Sequence, residues 1–208
     1  MNNLFDGIST KNAEKLMSLL NADSFTCQKG ISISYLLDRN VIGFVLEGYL
    51  EVIKIDYDGN KNIIETIDKH QVFGNAVSLI NNFSYDIIAI EDSKIILIEY
   101  DNIINYSDKY NKSYQKFLTN LLKIITCKVQ EQNERIEILS QKSIRNKLLE
   151  YFKISFKKNK SKNIYLPYSF TDLASYLAVD RSAMSREINN LKKEGFISVK
   201  GRHITLLY

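Results

Sequence analysis

Arg181, Ser182, Ser185 and Arg186 crowd the start of a segment whose apolar residues, Met184, Ile188 and Leu191, recur at steps of four and three. That spacing describes a helix with one apolar stripe, and it leaves the arginines and serines on the opposite face near the helix start. A guanidinium can donate paired hydrogen bonds to guanine O6 and N7 in the major groove, and a serine hydroxyl can serve several bases. Lys192, Lys193, Lys200 and Arg202 follow at positions suited to phosphates, where they add affinity without reading sequence. No enzymatic constellation competes with this reading. His70 and His203 are the only histidines, no nucleophile stands at recognisable spacing from a base, and no Cys, His and carboxylate cluster has metal-ligand spacing. The expectation is a DNA-binding protein that is not an enzyme and carries no cofactor or metal.

Such side chains need a scaffold, and the flanking sequence supplies one. Ser169, followed three residues later by Asp172, opens a short helix in which Leu173, Ala174 and Leu177 form the buried stripe. A tight turn, Ala178-Val179-Asp180, leads into the second helix, Arg181 to Lys193, and the pair reads as a helix-turn-helix. Gly195 to Val199 and His203 to Leu206, joined across Lys200-Gly201-Arg202, read as a two-stranded wing. Upstream, Ser143 to Phe156 is a helix with Leu148, Leu149 and Phe152 inside, and Lys157, Lys158, Lys160 and Lys162 fall in a solvated loop. Charge marks the same boundary. Up to Gln141 there are 14 Lys/Arg against 19 Asp/Glu, whereas the remaining 67 residues have 14 against 5, so a net +4 conceals an acidic body and a basic module.

Before that module, Leu118, Leu122, Ile125, Val129, Gln132, Ile136 and Leu139 step by fours and threes with no glycine or proline between Tyr110 and Ser143. A heptad stripe of this kind is a dimer seam, with Gln132 as a polar core position that can fix register. Earlier still, from Ser24 to Ile98, short apolar runs alternate with turns. Ile31, Ile33 and Tyr35 alternate with serines; Val41–Leu46, Tyr49–Ile55, Ile63–Ile67, Val72-Phe73, Ile87–Ile90 and Ile95–Ile98 follow, and together they suggest an antiparallel barrel or roll. A short helix, Thr10 to Leu20, precedes them with Thr10 as its cap. The fold class is α+β: a β-roll sensor domain over 1–108, a dimerisation helix over 109–141, and a winged helix-turn-helix over 142–208.

Composition sets the outer bounds. With 208 residues, 45% apolar and 25% charged, the chain is globular rather than disordered. It has no run of roughly 18 apolar residues to span a bilayer and no secretory signal at its start, so a cytoplasmic protein without membrane contact is expected. The two cysteines, Cys27 and Cys127, fit a reducing compartment.

Ser143-Ile-Arg-Asn-Lys-Leu-Leu, Tyr165-Leu-Pro, Asp172-Leu-Ala-Ser-Tyr-Leu and Val179-Asp-Arg-Ser-Ala-Met-Ser-Arg-Glu-Ile resemble the C-terminal domain of Crp/Fnr-type transcription regulators. Val45-Leu-Glu-Gly-Tyr-Leu-Glu-Val, Tyr57-Asp-Gly and Val72-Phe-Gly are similar to that family's cyclic-nucleotide-binding-like β-roll. The resemblance implies a homodimer about the long helix, two recognition helices in successive major grooves of a near-palindromic operator, and RNA polymerase as a further partner. It places Arg181, Ser182, Ser185 and Arg186 at base-reading positions and Ser169 at the opening of the first helix. Ser182 stands where the family commonly has glutamate, and Phe170 where a helix-opening arginine is frequent.

The same resemblance puts an effector pocket near Gly74, Asn75, Ser84 and Tyr85. Members that bind cyclic nucleotide hold the ribose and phosphate with a Gly-Glu pair and a later Arg-Ser or Arg-Ala pair. This chain has Gly74-Asn75 and no cation between His70 and Lys94, so a buried phosphate would lack compensation and cyclic AMP is not the expected ligand. The cysteines are too few for a four-cysteine iron–sulfur cluster, and His70, in a polar turn, reads as solvated rather than as a haem ligand. Cys127 lies beside the seam of the long helix and is expected to be a small buried thiol. The effector is an unidentified small molecule. A second reading keeps the roll as a small-ligand- or protein-binding module and reduces the basic end to a nonspecific DNA tether.

Overall fold

The computed structural model describes residues 3–59, 61–77 and 85–208, which form two compact units, Met1–Val129 and Gln130–Tyr208. In the first unit, helix α1 (Thr10–Leu19) is capped by Ser9, whose hydroxyl accepts from the Asn12 amide, one residue earlier than the sequence suggests. Strands β1 (Asp23–Cys27), β2 (Val41–Glu47), β3 (Leu50–Ile55), β4 (Lys61–Ile67), β5 (Val72–Phe73), β6 (Asp86–Ala89) and β7 (Ser93–Glu99) pair antiparallel in two sheets, ordered β1-β7-β2-β5 and β4-β3-β6.

The continuous apolar runs of β2 and β7 have a simple cause: their sheet is covered on both faces, so neither parity of residues can be polar. Val41, Val45, Ile95 and Leu97 point into a core shared with Leu50, Val52, Ile67, Phe73 and Ile87. Ile42, Phe44, Ile96 and Ile98 point the other way, into a second core with Leu16, Leu20 and the helices described next. Phe73 fills the roll interior so closely that a Cβ on Gly43 would lie 2.4 Å from its ring. Gly74, at φ +104°, brings its Cα against the Val41 carbonyl, a conformation and an approach that only glycine tolerates.

The strand expected over Ile31–Tyr35 is not formed. Ser32 makes one isolated bridge to Ile88, and Ser34–Leu37 winds into a 3-10 turn. The serine hydroxyls explain the difference. Backbone bonds to β6 end with the Ile33 amide on the Ile87 carbonyl; beyond it both serines donate to the Asp86 carboxylate, Ser34 at 2.6 Å, and the Ser34 hydroxyl accepts from the Ile87 amide at 2.8 Å, so side chains take over where the ladder stops.

After α2 (Tyr100–Ile104), helix α3 (Lys112–Leu139) runs through the boundary between the units. Tyr114, Phe117, Leu121 and Ile124 are its buried stripe in the first unit, and Asn120 donates to the carbonyls of Leu4 and Asp6, tying the chain's first residues to the helix. One turn beyond Ile124, Lys128 is buried, donates to the Val72 carbonyl at 2.9 Å and pairs with Glu65.

The second unit contains the end of α3, then α4 (Ile144–Asn159), β8 (Asn163–Tyr165), α5 (Phe170–Leu177), α6 (Arg181–Lys193), β9 (Ile197–Lys200) and β10 (His203–Leu206). Its core joins Ile138, Leu148, Phe152, Leu173, Leu177, Met184, Ile188, Leu191, Ile197 and Ile204. The wing has a third strand that the sequence reading lacked: β8 pairs with β10, giving the order β8-β10-β9. A strand as short as Asn-Ile-Tyr carries too little alternation to be recognised by pattern. The α+β architecture of antiparallel roll, long helix and helix-turn-helix agrees with the sequence expectation.

Gly43→Ala tests the packing of the roll: overlap with Phe73 lowers stability by about 1–3 kcal/mol. Phe73→Leu introduced alongside it recovers part of that loss, as denaturant unfolding of the single and double variants shows.

Candidate nucleic-acid interface and sensor residues

The turn between α5 and α6 sets the exposed face of the second helix. Ala178 adopts a left-handed conformation (φ 50°), and the Val179 amide returns to the Ala174 carbonyl at 3.0 Å, which stops α5 abruptly. Asp180 then caps α6. Its carboxylate accepts from the Ala183 amide at 2.7 Å and the Ser182 hydroxyl at 2.6 Å, and these bonds hold its pKa below the ordinary carboxylate value. At the opening of α5, Ser169 accepts from the Asp172 amide and donates to the Asp172 carboxylate at 2.6 Å. This is the first half of a capping box; the Asp172 carboxylate takes the serine hydroxyl instead of the Ser169 amide.

Met184, Ile188 and Leu191 fix the buried face of α6, and ion pairs hold a second side. Arg145 of α4 reaches Glu187 at 3.2 Å and also pairs with Glu194, while its guanidinium lies 5.3 Å from the Phe196 ring centroid. Arg135 lies 4.4 Å over the Tyr176 ring and donates to the Tyr176 carbonyl, and Lys147 donates to the Leu177 carbonyl at 3.0 Å. These bracing contacts were missed by sequence reasoning. Arg145 belongs to a recognised motif, but its partners lie more than forty residues away.

Arg181, Ser182, Ser185 and Arg186 are exposed toward the N-terminal end of α6, followed by exposed Asn189 and Asn190. Lys192, Lys193 and Lys200 are exposed as well. Arg202 differs from them. It stacks on Tyr165 with its guanidinium 4.9 Å from the ring centroid, bonds the tyrosine hydroxyl, and reaches the Pro167 carbonyl at 3.4 Å.

Along α3 the expected seam residues form a face beside the buried stripe, and two of them, Leu118 and Ile125, pack partly against the same core. Leu122, Val129 and Ile136 are 65%, 49% and 64% exposed, Gln132 is exposed, and Leu118, Ile125 and Leu139 are half-buried. Cys127 is exposed but stands about 200° around the helix from both Ile125 and Val129, away from that face.

Of the expected effector-pocket residues, Ser84 lies outside the described residues. Gly74 is spent on the close approach to Val41. Asn75 is a brace: its side-chain oxygen accepts from the Val41 amide at 2.7 Å and its nitrogen donates to the Leu37 carbonyl at 3.3 Å. Tyr85 borders a surface cavity of about 780 Å3, with Ser34, Lys54, Tyr57 and Asp86 among its neighbours. His70 is not a solvated turn residue. It is half-buried in a left-handed conformation, its ring centroid 6.2 Å from that of Phe44, and burial pushes its pKa below the ordinary imidazole value. The cation absent from the sequence between His70 and Lys94 arrives from elsewhere, because Lys128 contacts the carbonyl two residues before Gly74. The signal was available: Lys128 continues the stripe of Tyr114, Phe117, Leu121 and Ile124 at steps of three and four.

Residues 145–208 match the family model of a Crp-like helix-turn-helix domain, and residues 38–110 match that of a cyclic nucleotide-binding domain. A putative HTH-type transcriptional regulator, ycf28, from Porphyra purpurea is 27% identical over 167 residues, covering 78% of this chain and 69% of the relative. Among solved structures, a mutant of CooA from Carboxydothermus hydrogenoformans superposes with a TM-score of 0.76 at 19% identity, over 99% of this chain and 92% of that one. A cyclic nucleotide-binding domain containing protein from Listeria monocytogenes EGD-e gives 0.66 at 17% identity, over 93% and 96%. At these identities the structural likeness establishes the fold alone.

The Asp180 cap yields a test with a defined sign. Asp180→Ala lowers the thermal midpoint at neutral pH, whereas Asp180→Asn, still able to accept from the Ala183 amide, stays near the parent. Because the folded pKa of Asp180 is depressed, its stabilisation is present above the unfolded carboxylate value and is lost as pH falls through the folded one. The gap between parent and Asp180→Ala therefore closes in acid, as thermal melts across pH 2–7 would record.

Proposed function

The chain belongs to the Crp/Fnr family of transcription regulators, and on that premise we propose that it acts as a homodimer, reading a near-palindromic operator with α6 and responding to an effector other than cyclic AMP. The observation that carries the DNA-reading half of this proposal is the division of α6. Its buried and paired residues are held from behind by α4 and α5, while Arg181, Ser182, Ser185 and Arg186 stand exposed where a recognition helix enters the major groove. Lys192, Lys193, Lys200 and Arg202 are suited to phosphates.

The dimer rests on the unpaired apolar face of α3. Exposed leucine, valine and isoleucine at seven-residue spacing cost solvation in a monomer and fit knobs-into-holes packing against a second copy. Two copies would then present two α6 helices to half-sites one helical turn apart.

The sensor reading rests on charge. Asn75 replaces the acidic partner that members binding cyclic nucleotide use, its amide is engaged with backbone, and Lys128 is already neutralised by Glu65. A cyclic phosphate entering there would meet no uncompensated cation among the described residues near Gly74. RNA polymerase is a further partner in this reading, and the protein's place is the cytoplasm.

Arg186→Ala weakens binding to the selected operator by about 1–3 kcal/mol and changes binding to random DNA far less. Equal loss on both, measured by fluorescence anisotropy at fixed salt, would reduce the basic unit to a nonspecific tether. Leu122→Lys combined with Val129→Lys places cations along the seam and shifts the sedimenting species from dimer to monomer. A variant that still sediments as a dimer assigns the interface elsewhere.

A further inference from the structure

On the second unit, away from the groove-facing residues of α6, a cavity of about 500 Å3 opens between α4 and the base of the wing. Leu149 and Phe156 form one wall and Phe196, Leu206 and Tyr208 the other. This lining is poorly covered for such large apolar groups: Phe156 and Phe196 remain more than a third exposed and Tyr208 more than half. Isolated apolar residues on a surface need no explanation, but aromatic side chains converging on one concavity of ligand-sized volume do. The ring of Phe196 is held for stacking, with Arg145 on it at 5.3 Å and Tyr208 edge-on at 6.0 Å between centroids.

The rim gives the concavity a sign. Lys153 is neutralised by Glu150, its ammonium 2.8 and 3.1 Å from the two carboxylate oxygens. Lys157, one turn along α4 and also at the cavity, forms no salt bridge among the described residues, while its neighbour Lys158 is taken by Glu134. Among the described side chains at the rim, Lys157 is thus the one cation without a carboxylate side chain paired to it. We propose that this cavity binds a small organic anion with a flat apolar body, of the aromatic carboxylate class, its ring against Phe156 and Phe196 and its carboxylate on Lys157. Charge selects against amines of the same shape, and the apolar lining selects against small inorganic anions. None of the proposed base-reading residues lines the site, so ligand and DNA can be carried together.

The test is an NMR titration of the full chain with 2-naphthoate and, separately, with its neutral counterpart 2-naphthamide. For a ligand of this size a dissociation constant of about 0.1–1 mM is expected for naphthoate. Shifts should saturate and gather on Leu149, Phe156, Phe196 and Tyr208, and the amide should bind about two- to five-fold more weakly, as loss of one exposed ion pair implies. Lys157→Gln, an exposed substitution that leaves the core untouched, should weaken naphthoate by the same factor and leave the amide unchanged. Tyr208→Ala should weaken both. Non-saturating shifts, shifts centred on Arg181 and Arg186, equal affinity for acid and amide, or indifference to Lys157→Gln would each overturn the proposal.

Discussion

A helix has one circumference, and α3 has to divide it among competing demands. One stripe, Tyr114, Phe117, Leu121 and Ile124, is consumed by the core beneath the roll. Another, marked by Leu122, Val129 and Ile136, is left exposed by the described residues. The two stripes keep the same rhythm of threes and fours but are offset around the axis, which is why a single helix can serve its own unit and still present an apolar face for a second copy. The proposed dimer depends on that division, because a helix with only the first stripe would leave each copy to meet DNA alone.

Lys128 shows how the first of these demands is finished. An ammonium with 8% of its side chain exposed is tolerable only because Glu65 and the Val72 carbonyl both receive it, so the bond ties α3 to β4 and β5 at one point. The same arrangement bears on what the roll can sense. A buried cation already matched by a carboxylate is a poor phosphate receptor, since a phosphate would have to displace Glu65 and leave that carboxylate without its partner. For the proposed reading, burial and pairing here add an electrostatic reason against cyclic AMP to the two in the sequence, Asn75 in place of an acid and the lack of a cation between His70 and Lys94.

Legibility in the sequence followed the range of the interactions. The α6 boundaries, its buried Met184, Ile188 and Leu191 and its exposed Arg181 and Arg186 could be read because helical periodicity and capping are local signals. The strands β2 and β7 were recognisable as apolar runs, though the reason for their uniformity lies in a sheet covered on both sides. What could not be read was decided by partners distant in sequence. Ser32 and Ser34 alternate with isoleucines as a strand should, yet Asp86, some fifty residues on, captures their hydroxyls and turns the segment into a 3-10 bend. Asn75 looked like a ligand residue until the backbone of Val41 and Leu37 claimed both ends of its amide. Arg145 gave no hint of Glu187 and Glu194, and β8 is too short to announce its place beside β10.

The stacking of Arg202 on Tyr165 has a consequence for how the wing meets DNA. A lysine at a wing tip samples many rotamers in solution and must lose most of that freedom when a phosphate fixes it, a penalty of about 1–2 kcal/mol for such a long side chain. Arg202 has already surrendered that freedom during folding, held between an aromatic face, a phenol and the Pro167 carbonyl. In the proposed complex it would approach the duplex as a pre-oriented donor rather than a searching one. In the proposed complex its contribution is therefore felt in the lifetime of the bound state and in the angle at which the wing lies across the backbone, more than in long-range attraction.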